Sequence, residues 1–256
     1  MKKIRELINW KLFFVLLGAS IFGTVTVIPY ALTLQADLLK EISIPISVLI
    51  FAQIIQSIIL FAIFIFIGLL LSKRVGFSLP ILERWLEGKE VKVYLKSILG
   101  ISIILGVLAG ILIIGLDFLF SAVGVQITTT QVAPPIWQGF LASFYGGIVE
   151  EIIMRLFFMT LLVWVSYKIK RTMEDKPTNI GVWLAIIISA VLFGIGHLSI
   201  TNALISITPL VVARAILLNG IAGIAFGWLY WKKGLESAMI AHFSADIVLH
   251  VILPLF

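Results

Sequence analysis

Seven runs of mostly apolar residues divide the chain, each near the ~20 residues that a membrane-spanning helix requires. They are Leu12–Leu32, Ile44–Leu71, Ser97–Phe120, Trp137–Val165, Ile180–His197, Pro209–Trp231 and Glu236–Phe256. Helix is the expected form, because a spanning helix satisfies its own backbone where water is absent. Between the second and third runs, Ser78–Lys96 mixes apolar and charged positions too closely to span. It is expected to lie along the cytoplasmic interface as a helix or elbow. Ser121–Pro135 is uncharged and turn-rich, which suits the external side. The N-terminus is basic like that of a signal peptide, but the apolar run after it is long and lacks a clear small-residue cleavage site. It is expected to be retained as the first helix.

The connections test this division. Lysine and arginine gather in the N-terminal tail (Lys2, Lys3, Arg5, Lys11) and between the second and third runs (Lys73, Arg74, Arg84, Lys89, Lys92, Lys96). They gather again between the fourth and fifth (Lys168, Lys170, Arg171, Lys176) and between the sixth and seventh (Lys232, Lys233). Only Lys40, Arg155 and Arg214 fall elsewhere. Alternating basic connections mark the cytoplasmic side. The expected fold is therefore an all-α polytopic transmembrane helix bundle of about seven spans, with its N-terminus in the cytoplasm and room for an eighth, short or re-entrant helix. It forms one membrane domain over residues 1–256, with N-terminal helices over about 12–135 and the chemistry over about 137–256.

Composition agrees. Of 256 residues, 61% are hydrophobic and only 12% charged, against ~45–50% and ~25% in an ordinary soluble domain. The net charge of +6 sits between the apolar runs, so it points to anionic lipid rather than to nucleic acid. There are no cysteines, which excludes disulfides and thiolate chemistry. No internal repeat is visible, which counts against an inverted-repeat transporter.

The second half of the chain places ionisable residues inside its apolar runs: Glu150, Glu151, Arg155, His197, Arg214, His242, Asp246 and His250. All three histidines of the chain are among them. Such residues are costly in a membrane and normally face a protein interior or a water-filled cavity. Glu151 and Arg155 are four apart, so one helical face can pair them. Glu150 is turned from Glu151 by about 100° and is left to face a cavity, as a general base would. Phe193 and His197 are also four apart, so the ring can pack beneath the imidazole. His242 and Asp246 share a face, where a carboxylate can fix the imidazole's tautomer. His250 is a further turn on, either a second partner of Asp246 or a histidine at the external helix end. Gly146 and Gly147 read as a close-packing step before the site or as a simple kink.

"EEIIMR", "FGIGH" and "HFSAD" fit, in order, the motifs EExxxR, FxxxH and HxxxN/D. Over about Ala142 to Val251 the chain resembles the CPBP family of intramembrane proteases, also called the Abi or CAAX-protease family. The family includes type II CAAX prenyl endopeptidases and bacterial relatives linked to bacteriocin processing and immunity. The resemblance implies an all-helical membrane enzyme of the cell (plasma) membrane that cleaves a peptide or membrane-protein substrate. Glu150 would activate water, with help from His197. His242 and Asp246 would stabilise the oxyanion, while Glu151, Arg155 and Phe193 would support the site. Many relatives carry asparagine where this chain has Asp246. An ionised aspartate cannot donate to an oxyanion, so Asp246 must be protonated or must orient His242.

Members are often labelled metalloproteases, and Glu150, His197 and His242 would suffice for a catalytic zinc with an open position. The chain lacks HExxH, in which one helix supplies two ligands and a base. Water activated by glutamate without a tightly bound metal is the preferred reading. Helix depth raises a difficulty: His197 falls near the outer end of its run and His242 nearer the cytoplasm. Two other readings stand beside the protease, a non-catalytic immunity or regulatory scaffold with the same fold and a proton-coupled transporter.

Overall fold

The computed structural model describes residues 7–125, 133–202 and 204–256. The described chain is helical, and its one β-type contact is an isolated bridge between Arg171 and Pro177. The elements are α1 (Trp10–Leu34), α2 (Ala36–Lys40), α3 (Ile46–Val75), α4 (Pro80–Leu86), α5 (Lys92–Ala122) and α6 (Ile136–Phe144). Two π-helical segments follow, Tyr145–Glu150 and Ile152–Met159, and lead into α7 (Thr160–Ile169). Then come α8 (Asn179–Gly196), α9 (Leu198–Asn202), α10 (Pro209–Lys233) and α11 (Leu235–Ile247). The last helix continues through a π turn, Val248–Ile252, and a 3₁₀ turn, Leu253–Leu255.

Among the described residues, six helices are long and apolar enough to cross a membrane, and they correspond to six of the seven expected runs. The other expected run, Trp137–Val165, is helical as well, but α and π segments alternate along it. Ser78–Lys96 divides into the short helix α4, a turn, and the start of α5, which begins before the expected Ser97. Much of the expected external loop Ser121–Pro135 lies outside the described residues.

Large apolar side chains cover the outward faces of α3, α5 and α8, including Phe51, Ile104 and Leu184. This is the pattern expected where lipid is the solvent. Hydrophobic burial drives association only weakly there, so close backbone packing and interhelical polar contacts carry the assembly. α5 packs against α11, which bears two candidate catalytic residues. A Cβ at Gly106 would collide with the carbonyl oxygen of Ala241. A buried hydrogen bond of 2.7 Å joins the hydroxyls of Ser102 and Ser237 across the same seam.

The N-terminal end of α11 is also tied down. Gly234 turns the chain with φ 96°, and Glu236 sits buried in the first turn of α11. Its Oε1 accepts from the backbone N–H groups of Ile81 at 3.0 Å and Leu82 at 2.9 Å. The short helix α4 thus has its unpaired N-terminal donors satisfied by a side chain of α11.

Substituting Gly106→Leu is expected to overpack this seam and destabilise the protein by about 1–3 kcal/mol. Gly100→Leu on the same helix, where nothing lies within 4 Å of the added carbon, is expected to leave the thermal midpoint in detergent unchanged. Equal midpoints for the two variants would contradict the packing.

Candidate active site

Three carboxylates surround the ring of His242. Its Nδ1 is 2.8 Å from Oε1 of Glu151. Its Nε2 is 3.5 Å from Oε2 of Glu150 and 3.7 Å from Oδ1 of Asp246. A carboxylate only accepts, so Nδ1 carries a proton and donates it to Glu151. The two approaches at Nε2 are longer than ordinary N–H···O bonds. The bond that fixes the imidazole therefore comes from Glu151 on the fourth run, whereas the sequence spacing offered Asp246 for that task. Phe226 of α10 stacks on the same ring, with centroids 4.8 Å apart.

Glu151 has a second partner. Its Oε2 lies 3.3 Å from Nε of Arg155, and neither side chain has any solvent exposure. This is the pair that the four-residue spacing predicts. The guanidinium makes no hydrogen bond among the described residues. It lies 5.5 Å and 5.8 Å from the ring centroids of Phe193 and Phe226, within cation–π range. Coulomb attraction to Glu151 and two aromatic faces are what meet its charge.

Glu150 is situated differently. It makes no hydrogen bond among the described residues, and its side chain is 23% exposed. The two glutamates are adjacent in sequence, but one is enclosed in the core and the other is open. The backbone here hydrogen-bonds in the wide i→i+5 pattern that recurs at functional sites. The hydroxyl of Thr160 donates to the carbonyl of Arg155, five residues back, at 2.9 Å. Gly146 and Gly147 fit the expected close approach. A Cβ at Gly146 would collide with Oδ2 of Asp246, and one at Gly147 would lie 2.9 Å from the Phe243 side chain. The absence of a side chain at position 146 is what lets the Asp246 carboxylate lie against the helix that carries Glu150.

His197 stands apart from this cluster. It follows the last turn of α8, where its Nδ1 is 2.8 Å from the carbonyl oxygen of Phe193. A carbonyl only accepts, so Nδ1 holds the proton and Nε2 presents a lone pair. No hydrogen bond joins His197 to Glu150, His242 or Asp246. Phe193 lies between: its ring meets that of His197 edge-on at 4.7 Å and that of His242 edge-on at 5.6 Å. The depth difference read from the sequence is thus spanned by an aromatic ring. His250 does not bond to Asp246 either; it lies beside Tyr30 of α1. Arg214, the remaining intramembrane cation, pairs with Asp117 of α5 at 2.6 Å, away from these residues.

Spacing alone gave no sign of Phe226, nor of Tyr145, which opens the π segment that ends at Glu150. Tyr145 precedes Glu150 by five residues, one π turn, a relation that an α-helical reading of the sequence does not bring out. Among the described residues, no group of three or more histidine, aspartate and glutamate side chains is arranged to hold a metal ion. Glu150, His197 and His242 form no such group.

The bundle with its buried His–carboxylate cluster is that of an integral, multi-pass membrane protein. Residues 132–248 match the family described as type II CAAX prenyl endopeptidase Rce1-like. This segment, which holds all three motifs, matches the kind of family that the motifs pointed to. The proteins that this description covers are endopeptidases. No curated protein and no solved structure matches the chain.

The two glutamates should separate on mutation. Glu151→Ala strands Arg155 as a buried charge and should cost about 3–5 kcal/mol. Glu150→Gln should leave the thermal midpoint within a degree or two of wild type. Equal losses in a thermal-shift measurement would contradict the division between them.

Proposed function

We propose that the protein is an endopeptidase of the cell membrane that hydrolyses a peptide bond with water activated by Glu150. The observation that carries this reading is the contrast between adjacent glutamates. Glu151 is committed to Arg155 and His242, while Glu150 has an open carboxylate beside an imidazole already fixed in orientation. A lone intramembrane carboxylate without a structural partner has a cost that a catalytic role would explain.

Glu150 takes a proton from water as the oxygen attacks the substrate carbonyl carbon. The carbonyl oxygen becomes an oxyanion. The tetrahedral intermediate collapses as the C–N bond breaks, and the proton held by Glu150 passes to the leaving amine. His242 contributes as a donor to the oxyanion when Nε2 is protonated as well as Nδ1. In that imidazolium form, Glu151 lies on one side of the ring and Glu150 and Asp246 on the other, so the charge is compensated. Asp246 donates to the oxyanion only as the protonated acid; ionised, it serves as one of these counter-charges. His197, with a lone pair on Nε2, is suited to accept a hydrogen bond from the attacking water when substrate draws the site together.

Glu150→Gln is expected to lower cleavage by about 10²–10⁴-fold, the range of a lost general base, in a protein that still folds and inserts. Quantitative proteomics of membranes carrying wild type or the variant would identify a polypeptide cleaved only by wild type. Unchanged cleavage by the variant would overturn the assignment. Chelation of the purified protein tests the metal-free route: activity should persist. A loss that zinc alone restores would move Glu150 from base to ligand.

A further inference from the structure

The π turn that follows α11 holds a histidine that this chemistry leaves unused. His250 lies one turn beyond Asp246 and two beyond His242, within the π turn Val248–Ile252. The turn is held tightly against α6, since a Cβ at Gly139 would collide with the carbonyl oxygen of His250. Nδ1 of His250 is 3.4 Å from the hydroxyl of Tyr30, and the two rings meet edge-on at 5.5 Å. Tyr30 comes from α1, outside the segment that matches the family. It directly follows Pro29, the one proline inside that helix, whose missing N–H interrupts the hydrogen-bond ladder and allows a bend.

This pair lies one helical turn beyond Asp246, where His250 extends the helix that carries the third motif. Both residues are half-buried, and Nε2 of His250 has no hydrogen-bond partner among the described residues. A tyrosine hydroxyl that donates to Nδ1 leaves the ring proton on Nε2, aimed away from Tyr30 as a free donor. Four residues of helix rise carry His250 roughly 6 Å past Asp246. An extended peptide covers that distance in about two residues at ~3.3 Å each.

We propose that His250 is a substrate-binding residue, and that Tyr30 is the positioning residue that fixes its tautomer. His250 donates from Nε2 to a main-chain carbonyl about two residues from the scissile bond. The ligand is thus an extended polypeptide backbone, read without regard to side chain. α1 thereby contributes to substrate recognition although the catalytic motifs all lie in the second half of the chain. This inference rests on the protease reading above.

The test uses the full-length protein and a synthetic peptide spanning the cleavage site found by comparing wild-type and Glu150→Gln membranes. His250→Ala should raise KM about tenfold while kcat stays within about twofold. Tyr30→Phe should raise KM in the same direction. The double variant should be no worse than His250→Ala, because Tyr30 acts through His250. His250→Gln, which keeps an N–H donor, should recover part of the loss, and all thermal midpoints should match wild type. A product that depends on Glu150 but shows unchanged KM in these variants overturns this inference alone. So does a loss that follows a lowered thermal midpoint, which would mark the pair as a tie between helices. Absence of any Glu150-dependent product overturns this inference and the protease reading together.

Discussion

The site depends on one carboxylate with two partners. Glu151 bridges Arg155 within its own helix and His242 on a helix 91 residues away in sequence. Each contact explains the other. An unpaired guanidinium in this core would be prohibitive, and Glu151 offsets its charge. Held there, Glu151 has one oxygen left, and that oxygen accepts the Nδ1 proton of His242. The imidazole is thereby set in one tautomer and one orientation, with Nε2 facing Glu150 and Asp246. A buried ion pair is weak support for stability in itself; here it acts by orienting a neighbour.

The surroundings keep that arrangement in register. Phe193 and Phe226 close over Arg155 and also contact the His242 ring, so the cation and the imidazole share an aromatic cage. The bare backbone at Gly146 lets Asp246 approach the helix that carries Glu150. At the other end of α11, Glu236 anchors that helix to α4 through two backbone N–H groups. The seam of Gly106 with Ala241 and Ser102 with Ser237 secures the same helix from the side of α5. α11 is thus braced on several sides, as a helix must be if its side chains are to hold a reacting geometry.

Local relations were legible in the sequence because helical periodicity alone sets them. The Glu151–Arg155 pair, the Phe193–His197 contact and the separation of Glu150 from Glu151 all follow from spacing on one helix. The membrane spans followed from long apolar runs and the placement of lysine and arginine. Relations between helices were not legible. Nothing in the spacing of His242 and Asp246 reveals that Glu151 reaches His242 first, since that depends on how two distant helices face each other. The same holds for Phe226 and for Tyr30, whose partners lie far along the chain. The π segments were hidden for another reason. Their widened turns change which residues align, as with Tyr145 and Glu150, and the apolar pattern alone carries no mark of that change.

The most direct test of this account is the protonation of the His242 ring, read by ¹⁵N NMR of the histidine-labelled protein in lipid. Substitution of His197 and His250 in turn assigns the signals of the three histidines. The account predicts a protonated Nδ1 at His242 whose signal shifts when Glu151 becomes glutamine and scarcely moves when Glu150 does. A His242 ring with a bare Nδ1, or one that responds to Glu150 but not to Glu151, would contradict it.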